Sequence, residues 1–148
     1  MPAMEPRIQY MKTEDGVSSA RGMNNEAFKS WLDAYKRAWE AGDPKAAADI
    51  FTEDATYQEI PFDEPMRGRT AITDYWSGNV TEQDNVQFGY EVLATTVEIG
   101  IARWWASFLD HSSKAHVKLD GIFVVHLDFE NRCTEFQEWW HATGEQNQ

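Results

Sequence analysis

The chain has 148 residues, with 13 basic and 25 acidic side chains and a formal net charge of −12. That length is one domain's worth, and a domain of this size buries about two-thirds of the surface its unfolded chain exposes, so it needs no staple. The acidic excess repels a phosphate backbone and argues against nucleic acid as a partner. The single cysteine, Cys133, excludes an internal disulfide and fits a reducing cytoplasm. No apolar run approaches the roughly 20 residues that span a bilayer, and the first residues lack the layout of a secretory signal. A cytoplasmic location with no membrane partner is the expectation.

Residues 1–24 read as a flexible N-terminal tail. Pro2, Pro6, Gly16 and Gly22 interrupt it, and its charges balance (Arg7, Lys12, Arg21 against Glu5, Glu14, Asp15). The acidic excess therefore belongs to the folded part, residues 25–143, and residues 144–148 form a short C-terminal tail. Asn24 or Asn25 can cap a first helix. Phe28, Trp31, Leu32, Tyr35 and Trp39 then recur three and four apart, one apolar stripe. Gly42 falls where a left-handed cap is cheap. Asp43-Pro44 restarts the chain as a cap and a first-turn proline. Ala47, Ala48, Ile50 and Phe51 complete a short second helix. Ala55–Ile60 reads as a strand, Pro61 and Pro65 bound a loop, and Gly68 precedes a third helix from about Arg69 to Ser77 that buries Ile72, Tyr75 and Trp76.

After Asn79 the pattern turns to strands. Val86–Thr96, Val97–Asp110, Ala115–Asp128 and Cys133–Ala142 are long and rich in β-branched and aromatic residues. Asp110–Lys114 and Phe129–Arg132 are tight polar connections, which predicts antiparallel hairpins. Helices followed by a bent antiparallel sheet define an α+β domain with the helices on one face.

Alternation along these strands sorts the side chains by face. Tyr57 and Glu59 share one face of the first strand. On the last strand Phe136, Glu138 and Trp140 share a face opposite Glu135, Gln137 and Trp139. One of Trp104 and Trp105 must point outward. His111, His116, His126 and His141 show no metal-ligand spacing, so no metal and no cofactor is expected. His116 and Asp120 share a face and form a candidate acid–base pair.

Particular residues carry a family resemblance. AGD at Ala41–Asp43, F-x-x-D-A-x-Y at Phe51–Tyr57, RG at Arg67–Gly68 and EWWH at Glu138–His141 resemble the nuclear-transport-factor-2-like superfamily, also called SnoaL-like or ketosteroid-isomerase-like. The resemblance covers about Asn25 to Thr143. It implies a cone in which three N-terminal helices pack on a strongly curved, mostly antiparallel sheet. It also implies a small apolar ligand of polyketide, steroid or terpenoid type, and a homodimer formed through the outer sheet face. The superfamily hosts cyclases, isomerases, lyases, epoxide hydrolases and non-enzymes, so the fold alone does not fix the reaction.

Aligned with ketosteroid isomerases, Tyr35 falls on the oxyanion-hole tyrosine and Glu59 on the proton-shuttling aspartate. Phe123 stands where those enzymes have a second, protonated acid. Limonene epoxide hydrolases are similar at Tyr57-Gln58-Glu59 and carry a catalytic aspartate where Glu138 lies. Their Arg-x-Asp pair has no counterpart at Arg103-Trp104-Trp105. Polyketide cyclases, which ask for little beyond one acid, are contradicted least.

The resemblance turns Glu59, Phe123, Phe136, Glu138 and Trp140 towards one pocket. Glu59, Tyr35 and Glu138 are then the candidate catalytic residues, and Tyr57, Phe123, Phe136, Trp140 and Trp76 the candidate ligand-binding ones. An apolar wall raises a carboxylate's pKa, and a second carboxylate raises one of the two further. Proton abstraction next to a carbonyl, as in a cyclase or isomerase, is the reaction such a pocket suits. The alternatives are a non-catalytic binder of a small apolar molecule and an interaction module. Glu59 can instead point outward and pair with Arg67 or Arg69, Tyr35 can be core filler, and Glu138 can lie at the rim.

Overall fold

The computed structural model describes residues 23–143. Most of the N-terminal tail and all of the C-terminal one lie outside the described residues. The elements run α1 (Asn25–Ala41), α2 (Pro44–Asp49), β1 (Phe51–Gln58), β2 (Met66–Arg67), α3 (Arg69–Glu82), β3 (Gln83–Thr95), β4 (Ile99–Asp110), β5 (His116–Leu127) and β6 (Cys133–Thr143). They form an α+β cone, its helices packed on a single curved sheet of order β2-β1-β6-β5-β4-β3. All ladders are antiparallel except β1 with β6.

Local chemistry sets the helices. The Asn24 side chain accepts from the Ala27 N–H, and Gly42 closes α1 at φ 64°. Asp43 caps α2, with Pro44 in its first turn. The apolar stripe of α1 is buried as its spacing predicts: Phe28, Trp31, Leu32, Tyr35 and Trp39 all enter the core. The Trp31 indole donates to the Ile50 carbonyl at 2.9 Å and so ties α1 to the end of α2. Met23 is also buried, and its N–H donates to the Val97 carbonyl at 2.7 Å. Met23, within the stretch read as tail, is thus part of the packed domain.

Several boundaries differ from the sequence reading. β1 begins at Phe51 rather than Ala55, because Phe51 opposes Cys133 of β6 across an irregular register. It ends at Gln58, so Glu59 lies one residue beyond the ladder. α3 continues past Ser77 to Glu82 and runs straight into β3. Residues 78–85, between the expected end of the helix and the expected start of the next strand, are therefore helix and strand.

The exposed edge of β3 is closed by α1. Lys36 donates to the Phe88 carbonyl at 2.8 Å and Glu40 accepts from the Phe88 N–H at 2.8 Å, while the two side chains pair at 2.7 Å. A bare edge would offer those groups to another chain. No helix among the described residues is long and apolar enough to cross a membrane.

Candidate active site

Tyrosines from three elements meet inside the cone. Tyr35 projects from the middle of α1, Tyr57 from the end of β1 and Tyr75 from α3. The Tyr35 ring sits 5.0 Å from Phe123 and 5.3 Å from Trp76, and Tyr57 lies 4.5 Å from Phe136, centroid to centroid. The Tyr57 hydroxyl is placed to donate to the Tyr35 oxygen. Tyr75 is placed to accept from Asn79 and to donate to Glu59. Burial raises the pKa of all three phenols, and the Glu138 carboxylate opposes their ionisation further. They remain O–H donors at any physiological pH.

Glu138 is the buried acid, only 5% exposed. Burial raises its carboxyl well above the usual carboxylate range, and the charge of Glu59 pushes it further in the same direction. Glu59, half-buried, stands at the mouth. The two carboxylates border one cavity of about 250 Å³. Its wall is completed by Tyr35 and Trp39 of α1, Tyr57, the α3 residues Tyr75, Trp76 and Asn79, Gln83 of β3, Trp104 and Phe108 of β4, Val117 and Leu119 of β5, and Trp140 and Ala142 of β6. Glu59 and Trp140 also border an outer groove with Arg103, Asp120 and His141.

The cavity wall carries two further donors. Trp39 Nε1 donates to Gln83 at 2.7 Å, whereas the buried Nε1 atoms of Trp76 and Trp104 have no protein acceptor. A buried donor without a partner costs about 1–3 kcal/mol, so such groups call for an explanation.

Most of the residues singled out from sequence gather here. Tyr35, Tyr57, Glu59, Trp76, Glu138 and Trp140 all border the cavity. Phe123 and Phe136 are fully buried and lie outside its wall. Phe123 stacks on Trp104 at 5.0 Å, and both phenylalanines contact the Tyr35 ring from the core side. They support the site without lining it. The outward pairing of Glu59 with Arg67 or Arg69 is not formed: Tyr75 is the partner placed at Glu59, and Arg69 donates to the Phe51 carbonyl at 2.9 Å. Asp120 pairs with Arg103 at 2.6 Å rather than with His116. Trp104 is the inward member of its pair and Trp105, 39% exposed, the outward one.

Sequence reading passed over Tyr75, Asn79 and Gln83 as site residues. Tyr75 was legible as a buried helix position. Asn79 and Gln83 follow from it at i+4 steps once α3 is extended beyond Ser77. No group of three or more His, Cys, Asp or Glu among the described residues is arranged to hold a metal ion.

A helix-backed curved sheet enclosing an acid-bearing apolar cavity is the nuclear-transport-factor-2-like cone. The chain belongs to the SnoaL-like domain family, whose model matches residues 32–136. Solved structures share the fold. The epoxide hydrolase/cyclase-like enzyme SalBIII, described in pyran ring formation in the polyether salinomycin, is 23% identical with a TM-score of 0.70, covering 80% of this chain and 95% of its own. A Bacillus subtilis protein described as a candidate isomerase is 17% identical with a TM-score of 0.72, covering 80% and 90%. A Catenulispora acidiphila protein of ketosteroid-isomerase-like fold, in complex with trimethylamine, is 15% identical with a TM-score of 0.65, covering 74% and 83%. No curated protein sequence matches the chain.

Proposed function

We propose that this protein is a cofactor-independent enzyme that moves a proton next to a carbonyl group, of the cyclase or isomerase type. The observation that carries the reading is the unequal pair of carboxylates on one small cavity, Glu138 buried and Glu59 at the mouth. Environments that push two acids apart assign one as acid and the other as base.

Glu59 is the base and takes a proton from the carbon beside the carbonyl. The electron pair of that C–H bond moves onto the carbonyl oxygen, where Tyr35 donates a hydrogen bond. The Tyr57 hydroxyl, donating to Tyr35, strengthens that donor. Glu138, held in its protonated form, is a second donor for the developing enolate; one such donor is worth about 10²–10³ in rate. The unpaired indole N–H groups of Trp76 and Trp104 support an oxygen-bearing ligand. Glu59 then returns the proton to carbon or hands it to the new position. Small molecules of polyketide, steroid or terpenoid character remain the proposed ligand class, as the family resemblance implies. The outer sheet face, with Trp105 and Trp139 partly exposed, is proposed to pair two copies in a cytoplasmic homodimer.

The test needs no known substrate. Exchange of α-protons for deuterium in a panel of cyclic ketones, followed by NMR, reads proton abstraction directly. The protein is expected to speed the exchange, and Glu59→Gln to lower it by about 10²-fold or more. A Glu59→Gln variant that exchanges at the unsubstituted rate sinks the assignment.

A further inference from the structure

The charge of the cavity wall is one-sided. The Glu59 carboxylate and the buried acid Glu138 border it, and no lysine, arginine or histidine does. The remainder is largely π-surface: Trp39, Trp76, Trp104 and Trp140, with Tyr35 and Tyr75. Aromatic faces carry negative potential and attract a cation held over them, most strongly where water is excluded. Cations on the neighbouring elements are engaged elsewhere. Lys36 is engaged at the β3 edge, Arg69 at the Phe51 carbonyl, and Arg103 with Asp120 over the outward Trp105. The net charge of −12 adds a long-range field of the same sign.

From this lining we infer that the cavity selects a compact organic cation, a small molecule bearing a tertiary or quaternary ammonium group. The inference rests on the reading of this cavity as the ligand site and names its substrate class. An anionic ligand would meet the Glu59 carboxylate with no counter-ion on the wall. A neutral one would leave that carboxylate without a counter-charge. An ammonium head offsets that charge and lies against the aromatic lining. Size points the same way. About 250 Å³ lies below the range of about 300–1,000 Å³ usual for drug-sized ligands, so the enclosed part takes one compact group of the ligand.

The direct experiment is calorimetric titration of the full chain with choline and, separately, with 3,3-dimethylbutan-1-ol, its uncharged carbon isostere. Choline is expected to bind at least about tenfold more tightly, a difference of about 1.4 kcal/mol. Its binding strengthens as pH rises and releases protons, because the ammonium favours the ionised form of Glu138. The titratable groups facing that carboxyl are Glu59, Tyr35, Tyr57 and Tyr75, and the phenols stay neutral over the range. Glu138→Gln is expected to abolish the pH dependence and reduce the preference. Equal affinities for the two probes, tighter binding of the alcohol, or no binding of choline at tens of millimolar each overturn the inference. The two readings fail separately. Ketone exchange without a choline preference removes the cation and keeps the proton transfer, whereas choline binding without exchange does the reverse.

Discussion

Phe123 on β5 and Glu138 on β6 stand directly opposite one another in the antiparallel ladder, and both side chains turn into the cone. Ketosteroid isomerases carry a protonated acid at the position resembling Phe123. Here a ring occupies it, stacked at 5.0 Å on Trp104, and the neighbouring strand supplies a buried carboxyl instead. The pairing gives the proposed site its second hydrogen-bond donor by another route.

Glu138 sets a pH dependence of stability with a defined sign. Its folded-state pKa is raised above the unfolded value. Its contribution is therefore complete below the ordinary carboxylate range and is lost as pH rises towards the folded value, at up to about 1.4 kcal/mol per pH unit. Glu138→Gln removes that loss. In urea unfolding at a series of pH values, the variant is expected to gain on the parent protein steadily as pH rises. Parallel curves would show that Glu138 is not held protonated.

Gly121 is required by the packing of the wall. A Cβ there would meet the Trp139 carbonyl, sit 2.9 Å from the Trp140 Cβ and lie 3.0 Å from the Trp104 Nε1. Gly121→Ala is expected to cost about 1–3 kcal/mol, the usual range for overpacking. Unfolding free energy unchanged within error would contradict that geometry.

Glu40 works in the opposite direction from Glu138. Partial desolvation pulls its pKa up, but hydrogen bonds from Lys36 and the Phe88 N–H outweigh this and hold it low. Its contribution is therefore present above the ordinary carboxylate range and is lost as pH falls through the folded value. Glu40→Ala leaves the Phe88 N–H without its acceptor and is expected to cost about 1–3 kcal/mol at neutral pH. The deficit should shrink in acid. A deficit independent of pH would mean that the carboxylate does not close the β3 edge.

The outer sheet face predicts self-association. Trp105 is 39% exposed and Trp139 43%, and Ile122 and Val124 share that face. Sedimentation at tens of micromolar, roughly where weak interfaces part, is expected to give a dimer that Trp139→Glu weakens. A monomer at that concentration would leave the patch without its proposed partner.

The framework was legible in the sequence wherever one physical signal dominated. The stripe from Phe28 to Trp39, the caps at Asn24, Gly42 and Asp43, and the four long strands needed no tertiary information. Alternation along β6 correctly separated Phe136 and Glu138 from Trp139. Illegible features were those that other elements decide. The second half of α3 holds Gly78, Asn79 and Thr81, poor helix formers, and only its place beside the cone shows that Asn79 and Gln83 reach the cavity. Phe51 looked like a helix end because its strand partner, Cys133, is far along the chain. Phe123 and Phe136 had the right parity, but parity does not tell a cavity wall from the packing behind it.

The division of roles between Glu59 and Glu138 depends most on the protonation of Glu138, which carboxyl 13C NMR reads directly once the resonance is assigned by its loss in Glu138→Gln. At neutral pH the signal is predicted to have the chemical shift of a protonated acid and to pass through the ordinary carboxylate range, near pH 4.3, without changing. A Glu138 signal that titrates in that range and is ionised at neutral pH would contradict the proposed division of roles between the two carboxylates.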